Sequence, residues 1–163
     1  MQTKLSITGA IASALLAVGC GGTSSPTAAS SPSPNPSPIP AATGTTIAVA
    51  TNATLGQILV DGKGMTVYLF VADTGTTSTC YTSCASIWPP VLTTGAPQAG
   101  AGATASLLGT TTRTDGQIEV TYAGHPLYYF IKDKAAGDTT GQGVNGFGAL
   151  WWVMTPSLSL IHI

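Results

Sequence analysis

The sequence is poor in charged residues. Five basic and six acidic side chains make up 7% of its 163 residues and leave a net charge of −1, whereas about 25% of the residues of an ordinary soluble domain are charged. A chain with so few cations has no basic patch or stripe, which argues against a nucleic acid as its partner. The length fits one domain rather than a large multidomain enzyme, because domains usually run about 100–200 residues.

The sequence also lacks the short motifs that commonly carry catalysis. It contains no Gly-rich nucleotide loop, no Gly-x-Ser-x-Gly nucleophile elbow and no His-rich metal motif. Each of these motifs places reactive groups through a fixed spacing, so their absence removes the usual sequence evidence for a nucleotide-dependent enzyme, a serine hydrolase or a metalloenzyme. We therefore predict a protein that is not an enzyme and that needs no cofactor.

No apolar run is long enough to cross a membrane. The most apolar stretch, Leu5–Val18, follows Lys4 and as a helix would reach about 21 Å. The hydrocarbon core of a bilayer is thicker, about 30 Å. A lone positive charge before a short apolar run is typical of a secretory signal, so we interpret residues 1–19 as a signal peptide.

Small residues precede the first cysteine of the chain. The order Leu16-Ala17-Val18-Gly19-Cys20 resembles the lipobox of bacterial lipoproteins, in which the cysteine is lipidated and becomes the first residue of the mature chain. The resemblance implies lipidation at Cys20, an extracytoplasmic location, and the cell membrane or outer membrane as a partner through that lipid. Glycine rather than aspartate at position 21 implies no signal for inner-membrane retention. An ordinary signal peptide that happens to contain a cysteine is the alternative.

Residues 21–46 have the composition of a linker. They are mostly Ser, Pro, Ala and Thr without any charge, and such a composition cannot form a core. Pro-rich chains favour extended conformations of about 3.1 Å per residue. We therefore predict that residues 20–46 are a lipidated cysteine and a stalk, which holds a domain at residues 47–157 away from the lipid surface.

The last six residues, Leu158–Ile163, can be encoded by the string CTGTCTCTTATACACATC. That string resembles the transposon-end adapter used in sequencing-library preparation. We interpret residues 158–163 as an adapter artefact and assign no role to His162. A short apolar strand is the alternative.

Two segments of the predicted domain are alike. Gly56–Asp73 and Gly116–Asp133 each contain Gly-Gln-Ile, a short extended stretch, a Gly-containing turn and Tyr-x-Phe-x-x-Asp, at an offset of 60 residues. A fixed offset indicates a duplicated unit, and two copies fit a single domain with internal pseudo-symmetry. We place the repeats at about residues 56–92 and 116–157.

Both segments have the residue pattern of β-hairpins. Their β-branched and aromatic residues favour strands, and Asp61–Gly64 and Ala123–Pro126 contain residues that favour turns. Only Thr82–Ile87 fits a helical turn or two, and the Trp-Pro-Pro that follows ends it. We predict a mainly β fold, a compact antiparallel domain of two homologous hairpin-containing repeats with one short helical turn near a cysteine pair. The predicted strands are Ile47–Thr51, Ile58–Val60, Met65–Val71, Leu107–Arg113, Val120–Tyr122 and Leu127–Ile131.

The repeated motif is accompanied by further landmarks. The motif residues are Tyr68, Phe70 and Asp73 in the first copy and Tyr128, Phe130 and Asp133 in the second. Cys80, Cys84 and Trp88-Pro89-Pro90 follow the first copy, and Trp151-Trp152 follows the second. Together they resemble the bacterial secreted-repeat lipoproteins described by a Tyr-x-[Phe/Trp/Tyr]-x-x-Asp motif. The resemblance covers nearly all of residues 55–157. It implies a location in the cell envelope and no established activity.

Cys80 and Cys84 are the two cysteines of the predicted domain. Outside the cytoplasm such a pair is most simply a disulfide, which would pin the turn before Trp88. Two alternatives remain. One is a thioredoxin-type redox centre, although such centres have two intervening residues rather than three. The other is a copper or haem site with Met65 and His125 as extra ligands.

The aromatic residues of the motif recur two positions apart, so they share one face of each strand. Packing in the core is the simplest interpretation, and an exposed aromatic platform for a glycan or a quinone is the alternative. Asp73 and Asp133 end the two strands. We expect each carboxylate to accept backbone amides, in an Asx-type turn or as a cap, and a catalytic carboxylate pair is the alternative. We expect the three tryptophans to be partly buried.

A Gly-rich loop near the end of the second repeat carries many oxygen ligands. Asp133, Asp138, Gln142 and Asn145 could hold a calcium ion, although their spacing does not follow the EF-hand. A plain ordered loop is the alternative. His125, beside a proline in a predicted turn, is expected to be exposed, and a lone histidine is poor evidence for acid–base catalysis.

These observations favour a lipid-anchored extracytoplasmic protein that serves the cell envelope as a binding or structural module. Its expected partners are the membrane, through the lipid, and an envelope protein, a glycan or a small molecule. The alternative function is a redox or metal- and haem-handling lipoprotein that uses the cysteine pair, His125 and the aromatic residues.

Overall fold

A computed structural model describes residues 44–157. The predicted signal peptide, Cys20, nearly all of the linker and residues 158–163 lie outside this range. The described elements are, in chain order, β1 (Thr46–Asn52), β2 (Gly56–Asp61), β3 (Tyr68–Phe70), α1 (Ser83–Ile87), β4 (Gln98–Ala99), a short 3-10 turn (Ala105–Leu107), β5 (Leu108–Thr112), β6 (Ile118–Tyr122), β7 (His125–Pro126), β8 (Asn145–Gly146) and β9 (Ala149–Val153). The fold is mainly β, as predicted.

Each repeat opens with an antiparallel hairpin. In the first, β1 pairs with β2 from Ile47 opposite Asp61 to Asn52 opposite Gly56. The Asn52 side chain closes this turn, because its Oδ1 accepts the backbone N–H groups of Thr54 and Leu55 at 2.9 and 3.0 Å. Such an Asx contact is a common reason why asparagine begins a turn. The other side of β1 pairs in parallel with the two residues of β4. The remaining strand pairs are antiparallel, as predicted.

The second hairpin repeats this arrangement and adds a strand. Strand β5 pairs with β6, and β6 pairs with the short β7. Ala123 and Gly124 form the turn between β6 and β7, with φ angles of 49° and 82°. Positive φ at both central residues defines the tight turn that matches the twist of two neighbouring strands.

Strand β9 carries the C-terminal end of the second repeat into the first repeat. It lies between β3 and β8, and Tyr68, Leu69 and Phe70 of β3 lie opposite Val153, Trp152 and Trp151. The polypeptide of one copy therefore completes a sheet that begins with the other copy.

Two of the predicted strands are shorter than the sequence suggested. Only Tyr68–Phe70 of Met65–Val71 is a strand, and Leu127–Ile131 contains none. The physical reason is that Tyr128 makes isolated bridges to Tyr68 and to Pro90 instead of joining a continuous ladder.

The core consists of two apolar clusters that share strands. Successive side chains of a strand point to opposite faces, so Tyr68 and Phe70 lie in one cluster while Leu69 lies in the other. Trp151 and Trp152 of β9 are divided in the same way. Trp88, Trp151 and Trp152 are only 1%, 0% and 8% exposed. Our expectation of partial burial for the tryptophans was therefore wrong.

The helical turn lies where the sequence placed it. Helix α1 follows Cys80 and contains Cys84, and the two cysteines form the predicted disulfide with a Cα–Cα distance of 5.2 Å. The backbone N–H of Trp88 donates to the carbonyl of Cys84 at 2.8 Å, so the disulfide and α1 together fix the entry of Trp88 into the core. Within residues 44–157, no helix is long and apolar enough to cross a bilayer.

Candidate functional site at the contact between the repeats

The motif tyrosines of the two repeats meet backbone to backbone. The N–H of Tyr68 donates to the carbonyl of Tyr128 at 2.8 Å, and the N–H of Tyr128 donates to the carbonyl of Tyr68 at 3.0 Å. Both side chains are fully buried. Because the two residues occupy the same position of the duplicated motif, this reciprocal pair marks the internal twofold relation between the repeats.

The tyrosine hydroxyls cross from one repeat to the other. Tyr68 donates to Oδ2 of Asp133 at 2.6 Å, and Tyr128 donates to Oδ2 of Asp73 at 2.6 Å. Both aspartates are buried, at 6% and 8% exposure. We refer to these two hydrogen bonds as the Tyr–Asp contacts. Hydrogen bonds to a charged acceptor are roughly twice as strong as neutral ones, so they link the halves of the domain firmly.

The second oxygen of each aspartate accepts a backbone amide, but that amide lies six or seven residues along the chain and not within an Asx-type turn. Oδ1 of Asp73 accepts the backbone N–H and the hydroxyl of Thr79, at 2.8 and 2.7 Å. Oδ1 of Asp133 accepts the same two groups of Thr140, at 3.0 and 2.5 Å. Each carboxylate therefore binds its own loop through Oδ1 and the tyrosine of the opposite repeat through Oδ2.

Burial and the neighbouring carboxylates raise the pKa of both motif tyrosines. Desolvation is the largest cause for each, followed by the hydrogen bond to Asp133 for Tyr68 and by the charge of Glu119 for Tyr128. Both phenols therefore stay protonated throughout the physiological range, which is the state required to donate in the Tyr–Asp contacts.

Four aromatic rings from the two repeats stack in a continuous row, which we call the aromatic column. Its order is Phe70, Trp151, Trp88, Phe130, with centroid separations of 4.1, 4.0 and 4.1 Å. The two indoles are almost parallel, 3° apart. Tyr68 packs edge-on against Trp88 and Tyr128 packs edge-on against Trp151. All six side chains are buried, so the motif aromatics form core and not the exposed platform that we kept as an alternative.

A charged network borders this contact, and its two charged members, Arg113 and Glu119, belong to the second repeat. Arg113, only 3% exposed, donates to Oε2 of Glu119 at 2.8 Å, to Oγ of Ser78 at 2.7 Å and to the carbonyl of Cys80 at 2.7 Å. Tyr128 has a single hydroxyl hydrogen, which it gives to Asp73. Ser78 therefore donates to the oxygen of Tyr128 across 2.7 Å, and a directed chain of hydrogen bonds runs from Arg113 to Asp73.

Neither Arg113 nor Glu119 was predicted from the sequence as a functional residue. The signal was present, because the 60-residue offset aligns Glu119 with Leu59, and both side chains are fully buried. A carboxylate aligned with a core leucine needs a buried partner. Arg113 and the three lysines are the cations among residues 44–157, so the set of candidates for that partner was small.

Glu119 is held in an environment that disfavours its charge. Oε2 accepts from Arg113, whereas Oε1 has no hydrogen-bond partner among the described residues. Burial raises the pKa of the Glu119 carboxyl to about 7, and Arg113 offsets only part of that effect. The folded protein therefore binds a proton on Glu119 at a pH where the unfolded chain has released it.

This shift predicts a pH dependence of stability. Between about pH 4.5 and 7 the folded state binds more protons than the unfolded state, so stability rises as the pH falls through this window and is lost as the pH rises. As the pH is lowered from 7.5 to 5, Glu119 should raise the free energy of unfolding by about 2 kcal/mol. The free energy of unfolding measured with urea at these two pH values should therefore change less in Glu119→Gln than in the unaltered protein, by about the same amount. Asp115→Asn, which removes the exposed carboxylate partner of Arg113, is the matched control. Equal changes in the unaltered protein and Glu119→Gln would contradict the assignment.

The residues suggested as metal ligands are not gathered into one site. Asp133 accepts hydrogen bonds from Tyr68 and Thr140. Asp138 accepts the backbone N–H groups of Ala135 and Lys134, each at 2.8 Å, and these hydrogen bonds lower its pKa. Asn145 is exposed at the start of β8, and His125 in β7 is half-buried rather than exposed as we expected. Across residues 44–157 no three or more His, Cys, Asp or Glu side chains are placed to hold a metal ion.

An open groove lies away from the Tyr–Asp contacts, near the point where the described chain begins. Its volume is about 330 Å³, at the lower end of the range for small-molecule sites, about 300–1,000 Å³. The lining is neutral throughout and consists of Thr45, Leu92, Thr93, Thr94, Gln117 and Ile118.

The comparison with known families agrees with this architecture. A family model described as a secreted repeat of unknown function matches residues 49–92 and 109–155, which together are more than half of the chain. The protein belongs to this secreted-repeat family. Each matched segment begins within the first strand of its hairpin, β1 or β5, and includes the motif. No curated protein and no solved structure shows a significant similarity to the chain.

Membership of the secreted-repeat family gives the geometry a simple meaning. The two matched segments are the two halves joined by the Tyr–Asp contacts, and each of the two apolar clusters contains residues from both repeats. The family description fits a protein outside the cytoplasm and assigns no activity. The disulfide agrees with such a location, because disulfides persist in oxidising compartments.

Proposed function

We propose that the protein is a lipid-tethered extracytoplasmic module whose folded domain is a structural or binding element of the cell envelope. One observation carries the proposal. The polar atoms of the repeated motif contact each other inside the core, through the Tyr–Asp contacts and the threonines beside them. The motif therefore maintains the fold of the domain, and the surface remains available for a partner.

The sequence before the domain supports the tether. The order of small residues up to Cys20 is that of a lipidation site, and the uncharged segment 21–46 has the composition of a stalk. Both features lie almost entirely outside the described residues. An acyl chain contributes about 0.8 kcal/mol per buried methylene, so two or more chains on Cys20 would hold the protein stably on a membrane.

The proposed partners follow from the character of the surface. The groove beside Thr45 and Leu92 is neutral, which suits an uncharged partner such as a glycan, a neutral small molecule or a neutral segment of an envelope protein. The redox alternative has less support. The cysteines of the disulfide are separated by three residues, whereas thioredoxin-type centres have two, and residues 44–157 contain no group of three or more His, Cys, Asp or Glu side chains placed to hold a metal ion. The observation that favours a redox role is the aromatic column.

Radiolabelled palmitate fed to a bacterial host that expresses the full chain tests the tether. We expect the label to join the protein and the protein to partition into detergent. Cys20→Ser should lose the label and move to the aqueous phase. The double variant Cys80→Ser/Cys84→Ser, which removes the other two cysteines of the chain, should keep the label. An unlabelled chain, or label that persists in Cys20→Ser, would contradict the proposal.

A further inference from the structure

We propose that the buried aromatic core transfers a one-electron oxidation from tryptophan to tyrosine. The oxidised pair of Trp88 and Trp151 takes an electron from Tyr68 or Tyr128, and the proton of that phenol passes to an aspartate. This activity goes beyond the proposed structural function. It rests on the geometry that joins the aromatic column to the Tyr–Asp contacts.

The first element of the relay is the pair of indoles. Trp88 and Trp151 overlap face to face with centroids 4.0 Å apart and planes 3° apart. Ring contact at this distance allows an electron vacancy to be shared between the two indoles. Phe70 and Phe130 cover the outer faces at 4.1 Å, which keeps water away from the pair.

The second element is a tyrosine on each indole. The ring of Tyr68 lies edge-on to Trp88 at 5.4 Å, and the ring of Tyr128 lies edge-on to Trp151 at 5.1 Å. Tryptophan and tyrosine are the protein side chains that lose one electron most readily apart from cysteine and methionine. The described structure therefore places two electron donors directly beside the indole pair, one from each repeat.

The third element is a proton acceptor already in place. A phenol that loses an electron becomes a very strong acid, so its oxidation requires a nearby base. Oδ2 of Asp133 lies 2.6 Å from the hydroxyl of Tyr68, and Oδ2 of Asp73 lies 2.6 Å from the hydroxyl of Tyr128. Both protons can move within an existing hydrogen bond, and neither residue has to change position.

The reaction balances with an outer-sphere one-electron oxidant, such as a metal complex in its oxidised form. The oxidant takes one electron from the indole pair and is reduced by one electron, which leaves a tryptophan cation radical. An electron then passes from the ring of Tyr68 to that radical, while the O–H bond of Tyr68 breaks and its proton forms an O–H bond on Asp133. The products are a neutral tryptophan, a neutral tyrosyl radical and a neutral carboxylic acid.

Burial favours the second step. A cation radical and a carboxylate are both poorly solvated in a low-dielectric core, and the transfer converts this separated pair of charges into neutral groups. Tyr128 and Asp73 offer the same step in different surroundings, since the oxygen of Tyr68 accepts the backbone N–H of Gly141 at 3.3 Å. Ser78 donates to the oxygen of Tyr128, so that site holds its phenolic oxygen in place before and after the proton leaves.

Flash photolysis of the full chain with photogenerated ruthenium(III) tris-bipyridine tests the relay. We expect a tryptophan radical that decays into a tyrosyl radical, detected by transient absorption and by electron paramagnetic resonance of frozen samples. In Tyr68→Phe/Tyr128→Phe the decay of the tryptophan radical should slow at least about tenfold, which corresponds to a barrier higher by about 1.4 kcal/mol. Tyr122→Phe is the matched control, since Tyr122 is buried, donates to the carbonyl of Pro156 and lies outside the aromatic column.

A second measurement needs no variant and remains valid if the double variant does not fold. In deuterated water the conversion of tryptophan radical to tyrosyl radical in the unaltered protein should slow measurably, because a hydroxyl proton moves in that step. The proposal is overturned if no tyrosyl radical follows the tryptophan radical, if the conversion shows no isotope effect, or if the double variant and Tyr122→Phe convert at the same rate.

Discussion

Replacing Trp151 by alanine should lower the free energy of unfolding by about 3–5 kcal/mol, the usual cost of truncating a large aromatic side chain in a core. Trp151 is fully buried. It stacks on Phe70 and on Trp88, receives the edge of Tyr128, and donates its indole N–H to the carbonyl of Gly146 at 3.1 Å. Alanine would remove all these contacts and open a cavity at the centre of the aromatic column.

The neighbouring tryptophan provides a matched control for the contribution of ring stacking, when leucine replaces tryptophan at either position. Trp152 lies on the same strand and is 8% exposed, but its side chain faces the other apolar cluster and is not part of the column. Because an aromatic pair contributes about 0.5–1.5 kcal/mol beyond its buried area, Trp151→Leu should cost about 1–3 kcal/mol more than Trp152→Leu. Urea denaturation of the full chain measures both. Equal costs would mean that buried area alone, and not ring stacking, stabilises this part of the core.

The sequence was sufficient to predict the class of fold and the existence of two repeats. A constant offset of 60 residues and the alternation of Tyr68 with Phe70 follow from the covalent chain alone, since strand side chains alternate between faces. The disulfide was also predictable from the sequence, because Cys80 and Cys84 are the only cysteines of the predicted domain. These features depend on local spacing and not on how the two halves meet.

The partners of the motif residues could not be predicted in this way. Nothing local to Tyr68 indicates that its hydroxyl reaches Asp133, 65 residues away, rather than the aspartate of its own repeat five positions later. The choice is made by the twofold arrangement of the repeats, which brings the end of one motif beside the start of the other. The lengths of the strands were overestimated for a related reason, since the bridges of Tyr128 to Tyr68 and Pro90 replace a regular ladder.

The asymmetry between the repeats was also hidden from local patterns. Glu119 lies in β6 among residues that favour strands, and Arg113 precedes a turn. Both positions look like solvent-exposed sites when each is considered alone. Their mutual burial becomes apparent only when the second repeat is compared with the first, where Leu59 occupies the position of Glu119. The buried ion pair is therefore a difference between two otherwise similar copies.

Double-mutant cycles on the Tyr–Asp contacts should separate coupling between the repeats from coupling within them. Tyr68→Phe leaves Oδ2 of Asp133 without its donor, and Asp133→Ala leaves the Tyr68 hydroxyl without its acceptor. We expect a coupling energy of about 1.5–3 kcal/mol for this cross-repeat pair, as for a buried hydrogen bond to a charged group. The cycle of Tyr128→Phe with Asp73→Ala should give a similar value, because its hydrogen bond has the same length.

The matched control combines substitutions within one copy of the motif. Tyr68→Phe and Asp73→Ala change residues of the same motif whose side chains contact the other repeat instead of each other. Their effects on the free energy of unfolding should add to within about 0.5 kcal/mol, as expected of side chains with no direct interaction. Large coupling within the motif, together with small coupling across it, would place the motif's stabilising role inside each repeat. Large coupling across the repeats with small coupling within the motif would mean that each buried carboxylate depends on the tyrosine of the other repeat for its hydrogen bond. The two copies would then fold as one unit.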